Sequence, residues 1–308
     1  MKIVVVKKPK VIVVYNPMWH DPLTYPADEL PERCVITTDR CFMDEAAAVV
    51  FHLPTLPPGL FTGGEIEKKS GQVWVAWYME CEAHYPQLDD PVFMSRFDLT
   101  MSHRQEADIF SPYLPPDFGE LSLKPVPEKE PGKIVNAFIS SHINKSGRVQ
   151  YLIRMMRVLD IHSYGKIIPN MPAGDDYGHR FKLDTISSYK FTIAFENAIA
   201  RDYVTEKFYD PLIAGSVPVY LGAPNIRDFA PGENCFIDAS EWEDPESLAR
   251  HILDLSGDEA SYRSYFEWKK KPFPPKFARL IELKKVHHFV RLCRRIDEMT
   301  GPRGIRGQ

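Results

Sequence analysis

Cysteine pairs with zinc or redox spacing, long apolar runs and a strong charge of either sign are all missing from this 308-residue sequence, and each absence removes a class of function. The five cysteines (Cys34, Cys41, Cys81, Cys235 and Cys293) show no zinc or redox spacing. The expectation is therefore scattered buried thiols in a reducing compartment. No run approaches the ~20 apolar residues of a membrane span. Lys2, Lys7, Lys8 and Lys10 interrupt the first apolar run, so no signal peptide is read. A net charge of −4 gives nucleic acid no footing as a partner. No Gly-x-x-x-x-Gly-Lys-Ser/Thr loop occurs, which argues against a nucleotide kinase or ATPase. Internal repeats and low-complexity segments are absent too.

What is present points to two ordinary α/β domains. A hydrophobic content of 44% supports real cores, and 27 prolines favour many loops and short elements over a helical bundle. Strand candidates in the first half are Ile3–Val6, Val11–Tyr15, Val35–Thr38, Ala48–His52, Val73–Trp77 and Leu99–Ser102. Helical pieces between them suggest a parallel sheet with crossovers. Residues 112–132, rich in proline and charge, read as a linker. The pattern then restarts with a strand over Ile134–Ser140. An amphipathic helix follows over Arg148–Leu159, with Val149, Leu152, Ile153, Met156 and Leu159 on one face. A strand over Ile161–Tyr164 and a helix over Ser247–Leu255 complete the second half. The expected domains are 1–125, 126–268 and a basic tail or helix over 269–308.

Charge is unevenly spread. Residues 269–308 hold 12 Lys or Arg against three acids, a net of +9, so the rest of the chain carries −4 − 9 = −13. Such a tail, with Phe277, Leu280, Ile281, Val286, Phe289 and Val290, either packs its apolar stripe on the body or rests on an anionic membrane surface.

Residues 189–224 carry the chemistry. They run from an apolar strand through the polar loop that holds Glu196 and Asn197 into a short helix, and end in a second apolar strand. In an open α/β sheet, strand ends and helix starts are where ligands bind. A helix N-terminus bearing Lys207 suits an anion, and Glu206 beside it can accept hydrogen bonds from a diol. Phosphate plus diol outlines a nucleotide sugar. Two open α/β domains around such a ligand form the architecture called GT-B, two Rossmann-like domains facing across a cleft.

Tyr189–Phe191, Phe195–Asn197, Asp202–Lys207 and Ala214–Gly222 match in order a pattern that resembles the signature of the α-1,3-fucosyltransferases, glycosyltransferase family ten. Arg148-Val149 with Tyr151, Tyr164-Gly165-Lys166 and the run Phe97–Phe110 are similar to further family segments, so the resemblance covers roughly residues 30–270. It implies inverting transfer of L-fucose from GDP-β-L-fucose to a hydroxyl of a GlcNAc- or Glc-containing oligosaccharide, α-1,3 or α-1,4. GDP-fucose and the oligosaccharide are then the partners, and no cofactor is required beyond a divalent metal as at most a stimulant. Glu80 is the expected base, with Glu82 the alternative, because the family's Glu-Ser-Pro reads Glu80-Cys81-Glu82 here.

Arg148 and Lys207 are the expected charge-relief pair for the diphosphate. Glu206 would hold the ribose hydroxyls and Tyr203 would pack near the phosphates. Glu196 and Asn197 would touch the fucose or orient the loop. Asp175-Asp176 reads as a polar loop, no metal site is expected, and Pro211 predicts a short or kinked helix after Lys207. A cytoplasmic enzyme, at most peripheral to a membrane, is the expected setting, with a luminal catalytic domain as the alternative. The rival functions are a GT-B enzyme using another nucleotide sugar and a glycan- or GDP-binding homologue with impaired catalysis.

Overall fold

The computed structural model describes residues 9–19, 22–61, 66–172 and 178–300. The expected strand Ile3–Val6 and the Asp175-Asp176 pair lie outside them. The chain divides into two compact units, Met1–Ser111 with Val286–Gln308, and Pro112–Lys285.

The first unit is built on β1 (Lys10–Val14), β2 (Cys34–Thr37), β3 (Ala48–His52), β4 (Val73–Tyr78), β5 (Leu99–Ser102) and β6 (Ile109–Phe110), with a short α1 (Pro91–Met94). All pairings are parallel, in the order β2-β1-β3-β4-β5-β6. β3 and β4 are buried along their whole length, as strands covered on both faces must be, and so read as continuous apolar runs. Alternate residues serve opposite faces: Ala48 and Val50 join one core, Val49 and Phe51 the other.

The second unit runs α2 (Phe118–Leu121), β7 (Val135–Ala137), α3 (Arg148–Met155), β8 (Ile161–Ser163), α4 (His179–Ser187), β9 (Phe191–Phe195) and α5 (Glu206–Ala214). It continues with β10 (Val217–Leu221), β11 (Ile237–Asp238), α6 (Pro245–Gly257), α7 (Glu259–Ser264) and α8 (Pro275–Lys284). Its strands are again all parallel, ordered β11-β10-β9-β7-β8. Strand order reverses between β1 and β3 in one sheet and between β7 and β9 in the other. Crevices outside the carboxyl ends of the strands at such points are where open α/β sheets hold ligands.

The structure revises several expectations. Residues 112–132 are not a linker. Phe118 is fully buried against Tyr209 and Phe277, and the Lys129 ammonium donates to Ser187 O at 2.7 Å and Gly215 O at 2.6 Å. The unit boundary therefore falls at 111/112 rather than 125/126.

Of the two readings left open for 269–308, the described part, 269–300, follows the one in which the apolar stripe packs on the body. α8 buries Phe277 and Leu280 in the second unit, while α9 (His288–Thr300) buries Phe289, Leu292, Cys293 and Ile296 in the core of the first. The stripe that a lipid surface would take up is largely covered by the protein's own cores.

The thiols are not all free, since Cys34 of β2 and Cys293 of α9 form a disulfide across 259 residues of sequence. Spacing rules see only near neighbours and cannot reveal such a pair. Within α3, Ile153 is 40% exposed and the buried residues are Arg148, Leu152 and Met155; the helix ends at Met155, and Leu159 is buried beyond it.

Candidate active site

A cavity of about 590 Å³ lies in the second unit where β7, β8 and β9 end. Phe138, Ser140 and Ser141 follow β7, Tyr164 and Lys166 follow β8, and Asn197 follows β9. Arg148 opens α3, Glu206 and Lys207 open α5, and Phe181 and Lys182 come from α4. Two glycines permit this convergence. Gly147 caps α3 at φ 71°, in the left-handed region. A Cβ on Gly165 would stand 2.1 Å from Ile139 O, so only glycine lets the Tyr164–Lys166 turn lie against the chain leaving β7.

Glu196 organises the entry to α5. Its side chain is 0% exposed, and it accepts from Thr205 N at 2.7 Å and Thr205 Oγ1 at 2.9 Å, with Lys207 Nζ at 3.4 Å. Thr205 caps α5 and also takes the Lys207 ammonium at 3.0 Å. Glu206 Oε1 meets the same ammonium at 3.2 Å. Burial pushes the Glu196 carboxyl above its ordinary range, with Lys207 drawing it back. Burial also works against the Lys207 ammonium, yet Glu196 and Glu206 outweigh it and hold its pKa above the usual lysine value. In Glu206 burial is outweighed by Lys207 and then Lys182, so this carboxyl lies below its ordinary range. A fixed cation and an ionised carboxylate thus sit side by side at a helix N-terminus. Pro211 lies inside α5, which is short and ends at Gly215.

Arg148, Asn197, Glu206 and Lys207, all expected at the site, do line this cavity. Glu196 does not; it is turned inward and orients the loop. Tyr203 does not line it either: it is buried, its ring edge-on to Tyr113 with centroids 6.1 Å apart. Arg148 is more constrained than a free phosphate ligand. Its Nη1 donates to Phe195 O at 3.2 Å and its Nη2 to Ser141 O and Ile143 O at 3.1 Å, which leaves the buried Nε without a partner. Burial pulls its pKa below the usual arginine value. Asn197 Oδ1 is likewise buried and unpartnered. Both residues line the cavity, and each keeps one buried polar atom without a partner.

Sequence reasoning missed Lys182, which belongs to no motif, and left Lys166 unassigned within its turn. It also missed the stacked Phe138–Tyr164 pair, with centroids 5.2 Å apart and planes 14° apart, a flat apolar wall.

Glu80 belongs to the first unit, just past the carboxyl end of β4. Its Oε2 accepts from His84 Nδ1 at 2.9 Å, with the glutamate side chain 25% exposed and the histidine 4%. Glu82, the alternative, meets Arg104 Nη2 at 2.8 Å, a guanidinium that also takes Asp89 at 2.8 Å. Cys81 between them is fully buried, and burial pushes its thiol up to about 11, so it stays neutral. Where strand order reverses in this unit, Asn16 and His52 exchange hydrogen bonds through Asn16 Nδ2 to His52 O at 2.7 Å and His52 N to Asn16 Oδ1 at 3.1 Å. Burial pushes His52 down to about 4. No sequence motif marks this cluster. Among the described residues, no three His, Cys, Asp or Glu side chains gather as metal ligands, and no helix is long and apolar enough to cross a membrane.

Comparison with known proteins gives a consistent picture. Residues 127–305 match the model of glycosyltransferase family 10 (fucosyltransferase) C-term, and residues 7–114 match that of fucosyltransferase, N-terminal. Human 4-galactosyl-N-acetylglucosaminide 3-alpha-L-fucosyltransferase 9 is 32% identical over 245 residues, 78% of this chain and 65% of that protein. Human 4-galactosyl-N-acetylglucosaminide 3-alpha-L-fucosyltransferase FUT6 is 33% identical over 261 residues, 80% of this chain and 67% of that protein. The chain thus spans about 65% of the length of the first of these relatives. In fold it resembles a crystal structure of an alpha1,3-fucosyltransferase with GDP-fucose, at a TM-score of 0.54 and 14% identity over 100% of this chain and 95% of that one. The fold is GT-B-like, each unit a parallel α/β sheet.

Proposed function

The chain belongs to glycosyltransferase family 10 (fucosyltransferase), and we propose that it transfers L-fucose from GDP-β-L-fucose to a hydroxyl of a GlcNAc- or Glc-containing oligosaccharide, with inversion and α-1,3 linkage. The observation that carries this reading is the cavity beyond β7, β8 and β9, where, among the described residues, Arg148, Lys166, Lys182 and Lys207 surround one carboxylate, Glu206. Cations in such excess suit a diphosphate, the ionised Glu206 suits a ribose diol, and the Phe138–Tyr164 wall suits a planar base.

Glu80 takes the proton of the acceptor hydroxyl as that oxygen attacks C1 of fucose from the face opposite the diphosphate. The bond from C1 to the β-phosphate oxygen breaks, and the negative charge left on GDP is met by Lys207 and Arg148. Glu80 is preferred over Glu82 because Arg104 holds Glu82 as a paired anion at 2.8 Å. Glu82 is engaged by that guanidinium, whereas the 2.9 Å His84 contact aims the Glu80 carboxyl. The Cys81-Glu82 departure therefore leaves the base in place, which weighs against an impaired homologue. The Cys34–Cys293 disulfide favours an oxidising compartment, and so a luminal enzyme over a cytoplasmic one.

Turnover with a panel of nucleotide sugars tests the reading. In the presence of N-acetyllactosamine or lactose, GDP-fucose is expected to be used at least ~100-fold better, in kcat/KM, than GDP-mannose or UDP-galactose, because a site built to hydrogen-bond its substrate rejects analogues that leave buried polar groups unpaired. Better use of another nucleotide sugar would overturn the donor assignment.

A further inference from the structure

We propose, resting on the donor reading above, that Lys182 is a further ligand of the donor diphosphate, presented to the cavity by the buried carboxylate of Asp210. Lys182 stands in the first turn of α4 and lines the cavity. Its ammonium donates to Asp210 Oδ2 at 2.7 Å. Asp210 lies on α5, one turn beyond Glu206, and its side chain is 1% exposed. The other oxygen, Oδ1, is taken by His179 Nε2 at 3.1 Å.

A carboxylate this deeply buried is held only when matched by a cation, so Asp210 fixes where the Lys182 ammonium sits. An ammonium has three protons, and the Asp210 bond uses one of them. The remainder of its donor capacity is available on the cavity side. α5 then serves the donor twice, offering Glu206 and Lys207 at its N-terminus and anchoring a third cation through Asp210 one turn later. Lys182 is close enough to Glu206 to help hold that carboxyl below its ordinary range, so its charge is felt inside the cavity. A purely structural role, pinning α4 to α5, would act equally on every ligand of the cavity. A phosphate ligand acts only on those that carry phosphate.

Calorimetric titration of GDP and of guanosine separates the two. Lys182→Met is expected to raise the Kd for GDP about tenfold to a hundredfold, the usual scale for a hydrogen bond to a charged group, while guanosine binding is unchanged. Lys182→Arg is expected to recover most of the GDP affinity, and Lys182→Gln, which keeps a polar side chain against Asp210, should match Lys182→Met. Unchanged GDP affinity in both uncharged variants overturns the proposal, as does an equal loss for GDP and guanosine. Wild-type protein that fails to bind GDP overturns the donor reading and this inference together; GDP binding that ignores Lys182 overturns this inference alone.

Discussion

Glu80→Gln lowers kcat for fucosyl transfer about 10²- to 10⁴-fold, the range for loss of a positioned general base, and leaves the Kd for GDP unchanged. The split follows from where Glu80 sits. It lies in the first unit, past the end of β4, whereas the described residues that line the cavity read as the donor site belong to the second unit. Removing it is expected to slow proton transfer and to leave nucleotide binding unchanged. Glu82→Gln is the informative control, since it loses an ion pair with Arg104 and no base, and its kcat is expected within about threefold of wild type, as befits a partly exposed pair. His84→Ala should fall between the two, because the 2.9 Å contact aims the carboxylate without supplying the chemistry. Steady-state kinetics with separate GDP titration reads all three. If Glu82→Gln were the dead variant and Glu80→Gln the active one, the assignment would reverse.

Glu196→Ala destabilises the protein by about 2–4 kcal/mol, mainly the cost of leaving the two buried Thr205 donors without an acceptor. The carboxylate is fully buried and holds Thr205 through two hydrogen bonds as well as the Lys207 ammonium. Without it the Thr205 amide and hydroxyl lose their acceptor, and Lys207 keeps only its contacts with Thr205 and Glu206. Urea unfolding reads the loss as a lower midpoint at constant slope. GDP affinity is expected to fall as well, since Lys207 is no longer pinned. A change below about 1 kcal/mol would mean that the network is not what holds this loop.

Much of the fold was legible because parallel strands buried on both faces leave unbroken apolar runs. The expected strands Ala48–His52 and Leu99–Ser102 coincide with β3 and β5 residue for residue. Helix starts at Arg148 and at Glu206 were legible for a related reason, a polar loop giving way to apolar periodicity. What was illegible depends on partners distant in sequence. The composition of 112–132 says nothing of Phe118 inserting between Tyr209 and Phe277. The stripe on α9 is open to packing on the body or on a membrane surface, and says nothing of packing in the first unit, as it does. A glutamate at a strand end looks the same whether it touches a ligand or orients the loop, the two readings left open for Glu196, and it turns inward to Thr205. Arg148 was placed correctly at the cavity, but the three backbone carbonyls that take up its donors could not be foreseen. Lys182 carries no local signal, because its significance comes from a carboxylate 28 residues away.

The most direct test of the account is the product of incubation with GDP-β-L-fucose and N-acetyllactosamine, examined for released GDP and for the anomeric proton of the transferred sugar by NMR. The account predicts acceptor-dependent GDP release matched one-to-one by α-linked fucose, the outcome of a single displacement with inversion. A β-linked product, or the absence of acceptor-dependent release across lactose and N-acetyllactosamine while GDP still binds, would contradict it.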